Sequence, residues 1–90
     1  MKVLKIGAVW CSGCLVMRSR WQEIEKENPW LKTEYIDFDE QENIVKKYNI
    51  DGGKLPVFIF LDKKGKIIKQ IQGEPSKKEL IKLINQFKNK

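Results

Sequence analysis

A Cys-x-x-Cys pair, Cys11 and Cys14, stands where a strand-like run passes into a helix-like one, and nothing else in the 90-residue chain constrains its fold as much. These are the only two cysteines. On the first turn of a helix, two thiols at that spacing close into a disulfide with little backbone movement. The first also meets the positive end of the helix dipole, which favours thiolate over thiol. Dithiol–disulfide exchange is the chemistry to which this arrangement points.

The flanking segments supply the frame. Lys2 to Ala8 carries Val3, Leu4, Ile6 and Ala8 without strict alternation, the pattern of a buried central strand. From Cys14 to Glu27, Cys14, Met17, Trp21 and Ile24 fall on one helical face and Arg18, Arg20, Glu23 and Lys26 on the other; Asn28-Pro29 ends the helix. Thr33 to Phe38 reads as a second strand. Asp39 as N-cap with Glu42 three residues on predicts a short helix burying Ile44, Val45 and Tyr48. Gly52-Gly53 marks a loop, without the first glycine or the Lys-Ser/Thr ending of a phosphate cradle. Val57 to Leu61, the turn at Asp62-Lys63-Lys64-Gly65 and Lys66 to Gln72 predict a hairpin. Ser76 with Glu79 caps a last helix whose apolar face is Leu80, Leu83, Ile84 and Phe87. Met17 and Phe87 are expected in the core, Trp21 and Trp30 as core or packing residues, and Pro75 as a helix-start residue.

The order is β-α-β-α-β-β-α in one domain, residues 1–90. It is an α/β architecture with the first two strands parallel and the last two antiparallel. A hydrophobic fraction of 41% and a charged fraction of 33% fit a globular protein. No apolar run approaches the roughly 18 residues of a membrane span, and the N-terminus lacks the pattern of a secretory signal. A cytoplasmic monomer without membrane contact is expected. Net charge is +6, with 10 basic and 3 acidic residues after position 51. Those lysines are dispersed over a hairpin and a helix face without interleaved aromatics, so no nucleic-acid partner is expected. Histidine is absent, which excludes His-based triads and His metal ligands.

With the cysteines at a strand-to-helix junction, this order resembles the thioredoxin family over nearly the whole chain. The resemblance is carried by Trp10 before the pair, by Cys11 and Cys14, and by Asp37-Phe38-Asp39 closing the second strand. Leu55-Pro56 before the third strand and Gly73 before the last helix complete it. It implies a minimal thioredoxin-like fold, a four-stranded mixed sheet flanked by helices, shorter by a leading strand and helix than the full-length form. It implies that Cys11 attacks and Cys14 resolves, that Pro56 is cis beside the disulfide, and that the Leu55 backbone pairs with an extended substrate. Gly73 would line the same groove, with Trp10, Ser12 and Gly13 at its wall. The partners implied are disulfide-containing proteins and a thioredoxin-reductase-like electron donor; no cofactor beyond the Cys11–Cys14 disulfide is called for. Four departures stand out, one of them a loop before Pro56 lengthened by Gly52-Gly53-Lys54. The linker is Ser12-Gly13 in place of Gly-Pro or Pro-Tyr, Ser19 replaces a helix-kinking proline, and Lys5 replaces the carboxylate six residues before the first cysteine.

On geometry Cys11, at the helix N-terminus, is the better nucleophile; Cys14, one turn in, is expected to be the more buried and to resolve the mixed disulfide. Lys5, on the strand face of Val3 and Gly7, is a candidate for proton transfer beneath Cys14, the alternative being an ammonium that reaches solvent. Other readings of the pair are a structural disulfide, soft-metal binding by two thiolates or by four shared in a dimer, and a non-catalytic binding module.

Overall fold

The computed structural model describes residues 1–90. Strand β1 (Lys2–Gly7) leads to helix α1 (Ser12–Glu27), strand β2 (Lys32–Asp37) and helix α2 (Glu42–Lys47). A single 3-10 turn, Gly52–Lys54, precedes strand β3 (Val57–Leu61), strand β4 (Ile67–Gln72) and helix α3 (Lys77–Phe87). The sheet order is β2-β1-β3-β4. β1 runs parallel to β2 and antiparallel to β3, and β3 is antiparallel to β4, so the pairings expected from connection lengths hold.

The two central strands sort their side chains between two faces because successive residues of a strand point to opposite sides. Val3, Phe58 and Phe60 pack against Met17, Trp21 and Ile24 of α1 and Leu80 and Ile84 of α3. Leu4, Ile6, Val57, Ile59 and Leu61 form the other layer, which Ile44, Val45 and Tyr48 cover from α2 and its end while remaining only partly buried. Every residue of β3 is buried, as its uninterrupted apolar run requires of a strand covered on both faces. Lys77 ties α3 to α1 by pairing with Glu23 at 2.6 Å and Glu27 at 2.5 Å. That contact holds Glu23 below its ordinary value, through the hydrogen bond first, and Lys77 above its own.

Two expectations change. Asp39 does not cap α2: its N-cap is Gln41, with no side-chain bond. The turn is built by Asp37 Oδ1 accepting from the N–H groups of Asp39 and Glu40, and Asp39 spends its carboxylate on Trp10. Trp30 is half exposed rather than core, because Asn28-Pro29 carries it past the end of the α1 stripe that buries Trp21. Helix α1 begins at Ser12 with Cys11 as its N-cap, in keeping with a cysteine pair on the first helical turn. Ser76 caps α3 as expected, accepting from the Glu79 N–H at 3.1 Å.

Candidate active site

β1 ends at Gly7, and the short link to α1 makes Cys11 the helix N-cap. With extended backbone angles, φ −96° and ψ 109°, Cys11 turns its sulfur back over the first turn, where Sγ accepts the N–H of Cys14 at 3.2 Å. The N-cap position usually belongs to Ser, Thr, Asp or Asn. A cysteine there places its sulfur among unpaired N–H donors at the positive end of the helix, the setting that stabilises a thiolate. Cys11 and Cys14 form a disulfide, with Cα atoms 5.3 Å apart.

One wall is made at the same end of the sheet, where β3 begins beside the end of β1. The Leu55-Pro56 peptide is cis, and the Pro56 carbonyl accepts the N–H of Gly73 at 2.9 Å. Gly73 has φ +88°, a conformation that glycine adopts without penalty. A Cβ on Gly13 would stand 3.3 Å from Pro56 Cδ and 3.5 Å from the Glu74 carboxylate, so Gly13, Pro56 and Gly73 meet as anticipated. Leu55 is extended, and neither its N–H nor its C=O takes part in a backbone hydrogen bond. Trp10 is 57% exposed beside the pair, held by its Nε1 bond to Asp39 at 2.7 Å and an edge contact with Phe38. Ser12 is exposed. Val9 and Leu15 extend the apolar surface around the disulfide.

The other side of the pair differs from expectation. Cys11 is buried, at 9% exposure, whereas Cys14 is only half-buried, the reverse of the predicted order. Cys14 packs its sulfur against Gly7: the point where a Gly7 Cβ would stand is 3.1 Å from Cys14 Sγ and 3.3 Å from the Tyr35 ring, so only a glycine leaves room for the sulfur there. Lys5 lines the same cleft as Cys14. Its ammonium, on a partly exposed side chain, pairs with Glu25 at 2.9 Å, and Glu25 also accepts from the Thr33 hydroxyl at 2.8 Å. Burial, followed by the Asp37 carboxylate, pushes the Tyr35 phenol above 10.0, so it is a donor at neutral pH. No group of three or more Cys, Asp or Glu gathers around the sulfurs. A separate groove of 710 Å³ between β4 and α3 touches neither cysteine. Sequence reasoning missed Gly7, Glu25 and Glu74; only Gly7 carried a signal, since a glycine inside a strand pattern marks close approach.

The family model described as Thioredoxin matches residues 1–86. The chain belongs to the thioredoxin family. Cys11 and Cys14 are its Cys-x-x-Cys motif. Thioredoxin from Fasciola hepatica is 26% identical, with a TM-score of 0.85, over 96% of this chain and 79% of that one. Mitochondrial thioredoxin 3 of Saccharomyces cerevisiae, in its oxidized form, is 26% identical over 94% of this chain and 76% of its own, with a TM-score of 0.81. Malassezia sympodialis thioredoxin gives 25%, 96%, 73% and 0.83 for the same quantities. No curated protein matches the sequence. The family and the bonded pair together support a function of the thiol–disulfide oxidoreductase kind. No helix is long and apolar enough to cross a membrane.

Proposed function

We propose that the protein reduces or exchanges disulfides of other proteins through Cys11 and Cys14. The observation that carries this reading is the Cys11 sulfur at the N-cap of α1, accepting an N–H and already bonded to its partner one turn on. In the dithiol form the Cys11 thiolate attacks one sulfur of a substrate disulfide, and the other substrate sulfur leaves as thiolate. Cys14, deprotonated, then attacks the Cys11 sulfur of the mixed disulfide. The substrate leaves as a dithiol, and the protein holds the Cys11–Cys14 disulfide. Because the second attack is intramolecular, it outpaces escape of the intermediate.

The unpaired N–H and C=O of Leu55 suit an extended substrate segment laid between Pro56, Gly73 and the Ser12-Gly13 edge, with Trp10 as the opposite wall. Both reacting sulfurs belong to the chain, so no bound cofactor enters the cycle. A thioredoxin-reductase-like flavoprotein is the donor in keeping with the family, and a monomer suffices as one catalytic unit. The absence of any cysteine outside the pair suits a reducing compartment, the cytoplasm. Lys5, with Glu25, is the candidate for handling the proton of Cys14.

Insulin reduction with dithiothreitol as donor tests the roles. Cys11→Ser should be inactive, and Cys14→Ser should accumulate covalent mixed disulfides with its substrate. Full activity in both variants would refute exchange through the pair, and trapping by Cys11→Ser would reverse the roles.

A further inference from the structure

On the Cys14 side of the disulfide a cleft of 580 Å³ enters the molecule between β1, α1 and the end of β2. Cys14 and Gly7 form part of its wall and Cys11 does not. Buried Ala8, Met17, Trp21 and Phe58 make its inner end; exposed Leu15, Arg18, Gln22 and Tyr35 make its mouth.

The charges within it are unevenly satisfied. The Lys5 ammonium is taken by Glu25, Glu25 by Lys5 and Thr33, and Asp37 Oδ1 by two backbone N–H groups. Arg18 takes part in none of the four ion pairs of the molecule. Trp21, 1% exposed, has a buried Nε1 without a hydrogen-bond partner. Its nitrogen has no accessible surface, so it belongs to the packed inner end of the cleft rather than to the groups that a ligand would meet. With the Tyr35 hydroxyl and the Gln22 amide, the uncommitted groups are a guanidinium and neutral donors around an apolar slot. That set asks for an anionic acceptor on a small body. Arg18 follows Cys14 by one helical turn, which brings their side chains to neighbouring positions about 5–6 Å apart at Cβ. A ligand bridging them carries its carboxylate a few bonds from the atom that meets Cys14.

We propose that this cleft binds a low-molecular-weight thiol bearing a carboxylate, and that this thiol reduces the Cys11–Cys14 disulfide by attacking the Cys14 sulfur. The inference rests on the pair being redox-active. Displacement at a disulfide needs the incoming sulfur opposite the leaving one, and the cleft is lined by Cys14 and not by Cys11. The small thiolate RS⁻ forms a bond to Cys14 Sγ, the Cys11–Cys14 bond breaks, and Cys11 leaves as the thiolate that its N-cap position stabilises. A second RS⁻ then attacks the ligand sulfur of that adduct. RSSR departs, Cys14 takes the remaining electron pair, and two equivalents of thiol are oxidised for one disulfide reduced.

The test follows the reduction of oxidised full-length protein by 3-mercaptopropionate, 2-mercaptoethanol and cysteamine, with rates normalised to thiolate concentration. The anionic thiol should saturate. Its second-order rate constant should exceed that of 2-mercaptoethanol about tenfold, the discrimination of one charge-assisted hydrogen bond. Arg18→Gln should abolish the preference, and Lys64→Gln, the same loss of charge in the distant hairpin turn, should keep it. Acid quenching, alkylation and peptide fragmentation should find the adduct on Cys14. An adduct on Cys11, or a preference lost equally in both variants, overturns the proposal. Insulin reduction driven by dithiothreitol separates the two readings: activity there without carboxylate preference sinks only the cleft, and inactivity there sinks the exchange reading beneath it.

Discussion

Replacing Gly7 by alanine should make the disulfide easier to reduce. Gly7 lies outside the left-handed region, so alanine meets no backbone penalty, and its Cβ would stand 3.1 Å from Cys14 Sγ, 3.4 Å from Cys14 Cβ and 3.3 Å from the Tyr35 ring. Tyr35 is half exposed and swings away. Cys14 cannot do so while its sulfur is bonded to Cys11, but gains a free χ1 once the bond opens. The lower chain entropy of alanine stabilises both redox forms by about 0.4–1 kcal/mol and cancels in their difference. What remains is the cost of pushing an oxidised Cys14 off its rotamer, about 0.5–1.5 kcal/mol. For a two-electron couple that is a shift of about 10 to 30 mV toward positive potential. Equilibration in dithiothreitol redox buffers, with thiol alkylation and mass measurement, reads it directly. Melting should show the reduced variant stabilised and the oxidised one unchanged or weakened. A potential unmoved or more negative would mean that Cys14 relaxes freely, and that the seat of its sulfur is not set by Gly7.

Ser76→Ala removes the one side-chain cap of α3 and should cost about 1 kcal/mol, lowering the melting temperature by about 4–8 °C; no shift would show that the Glu79 N–H finds water as readily. Glu23→Gln tests the tie between α1 and α3. Because the folded-state value of Glu23 is lowered from 4.5, its contribution is present above that pH and disappears as pH falls through the lowered value, so wild type and variant should converge in acid. The Lys77 share, raised above 10.5, is full below that pH and fades as alkali passes the raised value. High salt should shrink both, since the groups are exposed. Lys5→Met removes a cation from the cleft shared with Cys14 and should move the pH–rate profile for resolution of the mixed disulfide to higher pH; identical profiles would leave Lys5 only the task of holding Glu25.

The sheet was legible because its signals are local and redundant. Val57 to Leu61 is uninterrupted and apolar, the hairpin turn is short, and the spacing of Met17, Trp21 and Ile24 admits only a helix face. The cysteine pair and the meeting of Gly13, Pro56 and Gly73 were likewise anticipated. What failed depended on contacts across the fold. Asp39 has the composition of a cap, yet Trp10, 29 residues away, claims its carboxylate. Trp30 has the composition of core, yet the helix that would bury it has already ended. Cys14 packs its sulfur against Gly7; that glycine marks a close approach in a strand pattern, but which side chain comes close to it is set by the tertiary fold.

The surroundings of Cys14 can be followed along one face of β1. At Val3 the face is sealed, packed with Met17 and Trp21 into the core. Two residues on, Lys5 puts a cation there, and the matching carboxylate arrives from α1 as Glu25, oriented from its far side by Thr33. After two more, Gly7 contributes no side chain, and the Cys14 sulfur and the Tyr35 ring close in on the space at the wall of the cleft. Sealing the face with apolar side chains throughout would stabilise the molecule by about 0.8 kcal/mol for each methylene buried, but would leave no room for the Cys14 sulfur. The progression from packed to ion-paired to bare gives up part of that burial at the strand end nearest the disulfide. The seat of the second cysteine is therefore a property of β1, while the thiolate-stabilising setting of the first is a property of α1. Substitutions in the two elements should separate the two.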